Sequence, residues 1–384
     1  MTIPLLDLRL ASDPNQKQAL LDLLKDCLFN VGFLYIKGHG VPEETISDLS
    51  EKLPSLFDIA NSSKSRLSKS NSPHFLGYSG FAEEVTLGQQ DLREQFDYAT
   101  ELPVIYDKDD NEIHEGKDFS KLYWWLRGPN QWPTEEELPG FRSALESYHN
   151  ALADLSYRFL HLVEEAFDIP LGTFDQIFGI DTSRQVSDSI TSSTSYSQTS
   201  SRKTYLPSQH RIKLVKYPAT NDEVGQGVGP HKDSSGLLTF LHQVGQEKGL
   251  EVLDKDGNWI AANPIPGTFV VNFANPFEAA TDGAVKATVH RVVAPTERDR
   301  YSIPFFMGLP PNLTVSEIRS CVPEAVRKMR RDEDGQEATE NAVSSFLDPR
   351  WDNLGESQLR KWIRSHKDVG RKWYGDEVVD YYIQ

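Results

Sequence analysis

A mainly β chain with flanking helices is the fold class this sequence predicts, and three features carry the prediction. From His210 to about Pro310, short apolar runs are separated by Gly, Pro, Asn and Asp: KLVKY, GLLTFLHQV, LEVLD, NWIAANP, TFVVNF, ATVHRVV and SIPFFM. Such spacing indicates a β-sandwich or barrel rather than a βαβ sheet. Helical periodicity lies outside that region, before and after it. Residues 182–204 are rich in Ser and Thr and poor in apolar residues, so a surface loop is expected there.

In order along the chain, IPLLDLRL is strand-like and leads into a helix from about Lys17 to Asn30. Its Leu20, Leu21, Leu24, Cys27 and Leu28 recur at helical spacing. GFLYIKGHGVP is a short apolar strand closed by glycines. A helix near Glu43 to Ile59 follows, then a polar stretch. The region from Phe75 to Pro103 is loop and strand with several carboxylates. GPNQWP is a rigid turn before a long amphipathic helix from about Glu135 to Phe167, and the neighbouring aromatics of YWWL suit core packing. The tail from about Val315 to Tyr382 is helical and charged. With no internal repeat and no convincing linker, residues 1–384 are expected to form one domain. Within it, 1–181 is an N-terminal helical or mixed part, 182–204 the loop, 205–312 the β core and 313–384 the C-terminal helices.

The 384 residues carry a net charge of −17, which argues against a nucleic-acid partner because phosphate binding needs basic clusters. Two cysteines, Cys27 and Cys321, stand in no metal-like spacing and fit a reducing compartment. MTIPLLDLRLASD lacks a basic n-region, and no apolar run approaches a membrane span. The expectation is a cytoplasmic monomer that acts on a small molecule, without a membrane partner.

The chemistry concentrates in HKD, HRVV and RYSIPFF. His231, Asp233 and His290 are the ligand types of the two-histidine, one-carboxylate triad, which holds Fe(II) and leaves one face for dioxygen and a co-substrate. His231 and Asp233 are two apart, so on a strand both would project from one face. Arg300 and Ser302, also two apart, would form a carboxylate seat, because the guanidinium fork binds carboxylates bidentately. His39 and His242 suit turn or core packing, while His74, His114, His149 and His161 have no partner at ligand spacing.

Taken together, KLVKYP, GVGPHKDSSGLLTFL, GLEVLDKDGNW, PGTFVVNF, TDGAVKATVHRVV and RYSIPFF resemble, in order and spacing, the core of the isopenicillin N synthase-like 2-oxoglutarate/Fe(II) oxygenases. IPLLDL and GFLYIKGHGVP resemble that family's N-terminal segment, so the likeness spans almost the whole chain. The resemblance implies a double-stranded β-helix (jelly-roll) core, with Fe(II), 2-oxoglutarate and dioxygen as reactants. It also implies that Arg300 and Ser302 hold the far carboxylate of 2-oxoglutarate, with Tyr217 beside it and Lys213 facing its other end. The family's Asn-Tyr-Tyr-Pro run is Val215-Lys216-Tyr217-Pro218 here, and Phe273-Ala274-Asn275 replaces its usual Gly-Asp. The implied reaction is oxidative decarboxylation of 2-oxoglutarate to succinate, coupled to oxidation of a small molecule.

A narrower likeness lies in GYSGFAEEVTLGQQD, which is similar to a segment of the microbial ethylene-forming enzymes. It implies L-arginine as a co-substrate, with Glu84 and Thr86 on the guanidinium side and Arg364 pairing with the amino-acid carboxylate. Ser234 stands where the bacterial ethylene-forming enzyme has a tyrosine. Two rivals stay open at this point: hydroxylation or desaturation of another small molecule, and oxidase chemistry without 2-oxoglutarate, as in isopenicillin N synthase. A non-catalytic binding protein would have no need for the triad.

Overall fold

The computed structural model describes residues 2–104, 119–178, 205–220, 225–234, 236–329 and 352–383. Two sheets face one another across the interior. The larger runs in the order β1 (Leu5–Asp7), β2 (Phe33–Lys37), β12 (Phe269–Phe273), β9 (Leu238–Val244), β14 (Arg300–Phe306), β7 (Arg211–Tyr217), β6 (Glu94–Ala99) and β3 (Gly77–Ser79). The smaller runs β11 (Trp259–Ala261), β10 (Leu250–Leu253), β13 (His290–Val293) and β8 (Gln226–His231). All pairings in both are antiparallel except β1 with β2. A two-stranded hairpin, β4 (Val85–Thr86) and β5 (Gln89–Gln90), stands apart from them.

Alternation along the strands sorts the side chains into two layers. On the outer face of the large sheet, Ile212, Leu214, Phe240, Val271 and Ile303 pack against the helices Lys17–Asn30, Glu43–Phe57 and Phe141–Ala166. On the inner face, Val215, Tyr217 and Val270 meet Val228, Leu250 and Val292 of the small sheet. A third apolar cluster joins Phe75 and the aromatics of Phe119–Leu126 to the C-terminal helices Leu354–Ser365, Lys367–Tyr374 and Asp376–Ile383. Of the YWWL aromatics, Tyr123 and Trp125 are thus core residues, as expected, and Trp124 packs partly buried against them.

The facing antiparallel sheets suit a jelly-roll core, but the chain is not mainly β, since 40% of it is helical. Three of the longer helices, Lys17–Asn30, Glu43–Phe57 and Phe141–Ala166, share the core cluster on the outer side of the large sheet. Helix Lys17–Asn30 has the expected bounds; the long helix starts at Phe141 rather than Glu135. Pro139 and Gly140, the latter at φ +68°, set that start. Strand β8, QGVGPH, has too much Gly and Pro to be legible as a strand. The expected loop at 182–204 lies outside the described residues, as does His114.

Candidate metal and co-substrate site

Strand pairing sets His231 and His290 directly opposite one another, at the end of β8 and the start of β13. Their rings lie 4.3 Å apart. Asp233 does not share their sheet: the strand ends at His231, and Asp233 sits in the irregular segment beyond it. The expectation that His231 and Asp233 project from one strand face is therefore corrected. What fixes Asp233 is its surroundings, beginning with the Asn275 amide, which donates to its carbonyl at 2.9 Å. Its Oδ1 is 3.8 Å from Nε2 of each histidine, and the three candidate ligand atoms lie within 4.8 Å of one another.

Each of these side chains is oriented from behind. His231 Nδ1 lies 2.9 Å from the Gly229 carbonyl, and His290 Nδ1 lies 3.1 Å from that of Thr288. Protons on those nitrogens leave both Nε2 lone pairs turned inward, as metal ligation requires. Asp233 Oδ2 accepts from Thr239 Oγ1 at 2.7 Å and from Asn272 Nδ2 at 2.8 Å. Burial alone would raise its pKa, but His290, His231 and those two donors outweigh it and hold the carboxyl at about 2. Burial, with His290 beside it, pulls His231 down to about 3, so it is a neutral ligand at ordinary pH. The donor set fits a divalent iron ion.

The main cavity, about 230 Å³, opens between the two sheets and has all three of these residues in its wall. Arg300 and Ser302 project into it from β14, and Lys213, Val215 and Tyr217 from β7. Arg300 is opposite Tyr217 in register, with its guanidinium 5.0 Å from the ring centre. It is 1% exposed, and its Nη2 donates to Gln243 Oε1 at 3.0 Å. Nε and Nη1 have no hydrogen-bond partner, and no carboxylate pairs with the group among the described residues. Burial lowers its pKa against the opposing influence of Tyr217. A buried guanidinium of this kind calls for an anion, and the far carboxylate of 2-oxoglutarate fits it.

Glu84 and Thr86 also line the cavity, but both are engaged. Glu84 Oε2 accepts from Arg93 at 2.6 Å; its Oε1 accepts from Gln95 at 2.7 Å, and lies 3.2 Å from Lys69 Nζ and 3.1 Å from His366 Nε2. Burial would raise the Glu84 pKa, yet Lys213, Lys69 and Arg93 drive it well below the usual carboxylate value. Asp97, 1% exposed, pairs with Lys69 at 2.8 Å and Lys213 at 3.1 Å. Thr86 Oγ1 donates to Asp91 Oδ2 at 2.9 Å, while Asp91 Oδ1 accepts the Gly229 amide at 3.1 Å. The hairpin is thereby tied to Gly229, the residue whose carbonyl orients His231.

Arg364 is not brought to the cavity. It is exposed on the helix Leu354–Ser365, whose Lys361, Trp362 and Ser365 form the cavity wall instead. At about 100° of rotation per residue, position 364 faces away from that wall. Sequence reasoning also missed Thr239, Gln243 and Asn272, which support the iron-ligand types and Arg300. Of these only Asn272, a polar residue inside the apolar run TFVVNF, stood out as a signal.

Comparison with known proteins agrees with this geometry. A model of the non-haem dioxygenase in morphine synthesis N-terminal family matches residues 3–135, and that of the 2OG-Fe(II) oxygenase superfamily matches 208–309. The 2-oxoglutarate-dependent dioxygenase frbJ of Dothideomycetidae sp. is 37% identical over 97% of this chain and 92% of its own. The homoarginine-6-hydroxylase 2-ODD-C23 of Glycine max is 25% identical over 89% of this chain and 93% of its own. In fold, the chain is similar to a full-length Neurospora crassa protein crystallised in complex with alpha-KG: TM-score 0.65 and 21% identity, over 94% of this chain and 95% of that one. By family match, relatives and the fitting donor set, the chain belongs to the 2OG-Fe(II) oxygenase superfamily and is a 2-oxoglutarate-dependent dioxygenase.

Proposed function

We propose that His231, Asp233 and His290 bind the iron, that Arg300 and Ser302 seat 2-oxoglutarate, and that a small molecule is oxidised in the remaining part of the 230 Å³ cavity. The observation that carries this is Arg300, buried beside the triad with two unpartnered nitrogens and no carboxylate of its own among the described residues. Tyr217 and Gln243 hold that guanidinium in place. When bound, iron supplies the oxidising chemistry with dioxygen and 2-oxoglutarate. The chain supplies geometry: Nδ1 contacts fix the histidine tautomers, Thr239 and Asn272 aim Asp233, and Phe33, Leu241 and Val292 keep water out. Residues 1–384 act as one oxygenase domain on this account, because β1 and β2 from the N-terminal part complete the large sheet.

A second, finer proposal is that the substrate is L-arginine or a near relative, with ethylene among the products. Two observations favour it: the homoarginine hydroxylase among the relatives, and the Glu84 carboxylate in the wall. An arginine substrate would have to displace the chain's own Arg93 guanidinium from Glu84, and Arg364 would take no part in its carboxylate. The experiment is incubation with Fe(II), ascorbate and 2-oxoglutarate in air, with and without L-arginine, quantifying succinate and headspace ethylene. Arginine-dependent ethylene supports the finer proposal. Arginine-dependent succinate alone keeps arginine as substrate without ethylene, and arginine-independent succinate removes it.

A further inference from the structure

A second cavity of about 50 Å³ lies beyond Trp362, which lines both it and the main cavity. Among the described residues its wall contains no Asp or Glu, but does contain Arg127, Arg211, Gln209 and Gln358. Arg211 opens β7, and alternation puts it on the same face as Lys213 and Tyr217. It is 5% exposed, and among the described residues its side chain donates one hydrogen bond, from Nη2 to the His74 carbonyl at 3.0 Å. Its guanidinium packs 4.6 Å from the centre of the Trp362 ring. Burial pulls its pKa down to about 10, only partly opposed by Asp97 and Tyr374.

Arg211 Nη1, Gln209 Nε2 and Trp362 Nε1 are all buried and, among the described residues, all without a hydrogen-bond partner. Each is a donor, and none of the three atoms offers a lone pair. Water is poorly served by donors alone, whereas an oxyanion accepts from all of them and neutralises the arginine. We propose that this cavity is an anion subsite for a carboxylate, held by Arg211, Gln209 and Trp362. At roughly 15 Å³ per water-sized probe, its volume suits a formate- or acetate-sized group. The carboxylate is either a free small acid or the acidic end of a longer molecule reaching past Trp362 from the main cavity. The site goes beyond the oxidation proposed above and is independent of which substrate is oxidised.

The test uses the full chain and three probes. Crystals soaked in bromide should show an anomalous peak within hydrogen-bond reach of Arg211 Nη1 and Trp362 Nε1. Formate, titrated at constant ionic strength, should give a saturable change in tryptophan fluorescence. That response should weaken at least tenfold in Gln209→Leu and vanish in Arg211→Met. Should Arg211→Met fail to fold, Gln209→Leu and the bromide map still decide. Soaking with hexanoate separates the sources: a chain running past Trp362 identifies the end of a longer ligand, and occupation by formate but not hexanoate identifies a free acid. No bromide peak, or a formate response unchanged in Gln209→Leu, would overturn the subsite.

Discussion

The two ends of the main cavity are built on opposite principles. At the metal end, three ligand-type side chains come from short neighbouring segments, and each is aimed by one or two neutral partners. At the far end, Lys69, Glu84, Arg93, Asp97 and Lys213 hold one another by charge, and His366 from a fifth separate stretch lies against Glu84. The first arrangement stays incomplete without a cation, and Arg300 beside it without an anion. In the second, Lys69, Glu84, Arg93, Asp97 and Lys213 already pair with opposite charges within the chain. On the function proposed above, chemistry belongs to the incomplete end, and stability together with the shape of the wall belongs to the charge-paired one.

The contrast can be broken at either end. His231→Ala should cause the largest loss, with iron binding and succinate formation falling together by about a thousandfold or more, because two ligands cannot hold the ion. Its unfolding midpoint in urea should stay near that of the metal-free wild type. Retained turnover would remove His231 from the site. Lys69→Met should do the reverse at the other end, costing about 3–5 kcal/mol in urea unfolding, since Glu84 and Asp97 lose their shared buried cation.

Acid should act on the charge-paired end more gently than substitution does. Burial opposes ionisation of Asp97, yet Lys213 and Lys69 hold its pKa at about 2, below the ordinary 3.8. A carboxyl depressed in the folded state binds its proton more readily when unfolded. The stability it contributes is present above pH 4 and is lost as pH falls from about 4 to 2. A shift of this size corresponds to roughly 2 kcal/mol. Urea unfolding of the wild type at pH 5 and pH 3 should show that slope, and Asp97→Asn should flatten it. Arg364→Ala is the smallest case: exposed and turned from the cavity, it should change stability by less than about 0.5 kcal/mol and leave succinate formation unchanged.

The same contrast explains what the sequence could tell. HKD, HRVV and RYS were legible because ligand chemistry demands particular residue types at short fixed separations. The strand Glu94–Ala99 was not, because Glu94 and Asp97 look like loop carboxylates until Lys64, Lys69 and Lys213 are folded against them. Lys69 and Asp97 are far apart in sequence, so no local pattern announces their pairing. Arg364 was misplaced for a different reason: a helix turns far enough in a few residues to exchange a cavity wall for solvent. Asp233 was assigned to a strand by its spacing from His231, whereas its orientation comes from Thr239, Asn272 and Asn275.

The most direct measurement is an anaerobic titration of the Fe(II)-loaded chain with 2-oxoglutarate, followed by the visible charge-transfer absorption of the chelate. It should be run on the wild type, Arg300→Lys and His290→Ala. Saturable absorption in the wild type, a dissociation constant about tenfold or more higher in Arg300→Lys, and no absorption in His290→Ala is the predicted result. An Arg300→Lys curve that overlays the wild type, or a chelate that forms without His290, would contradict the placement of co-substrate and iron at this end of the cavity.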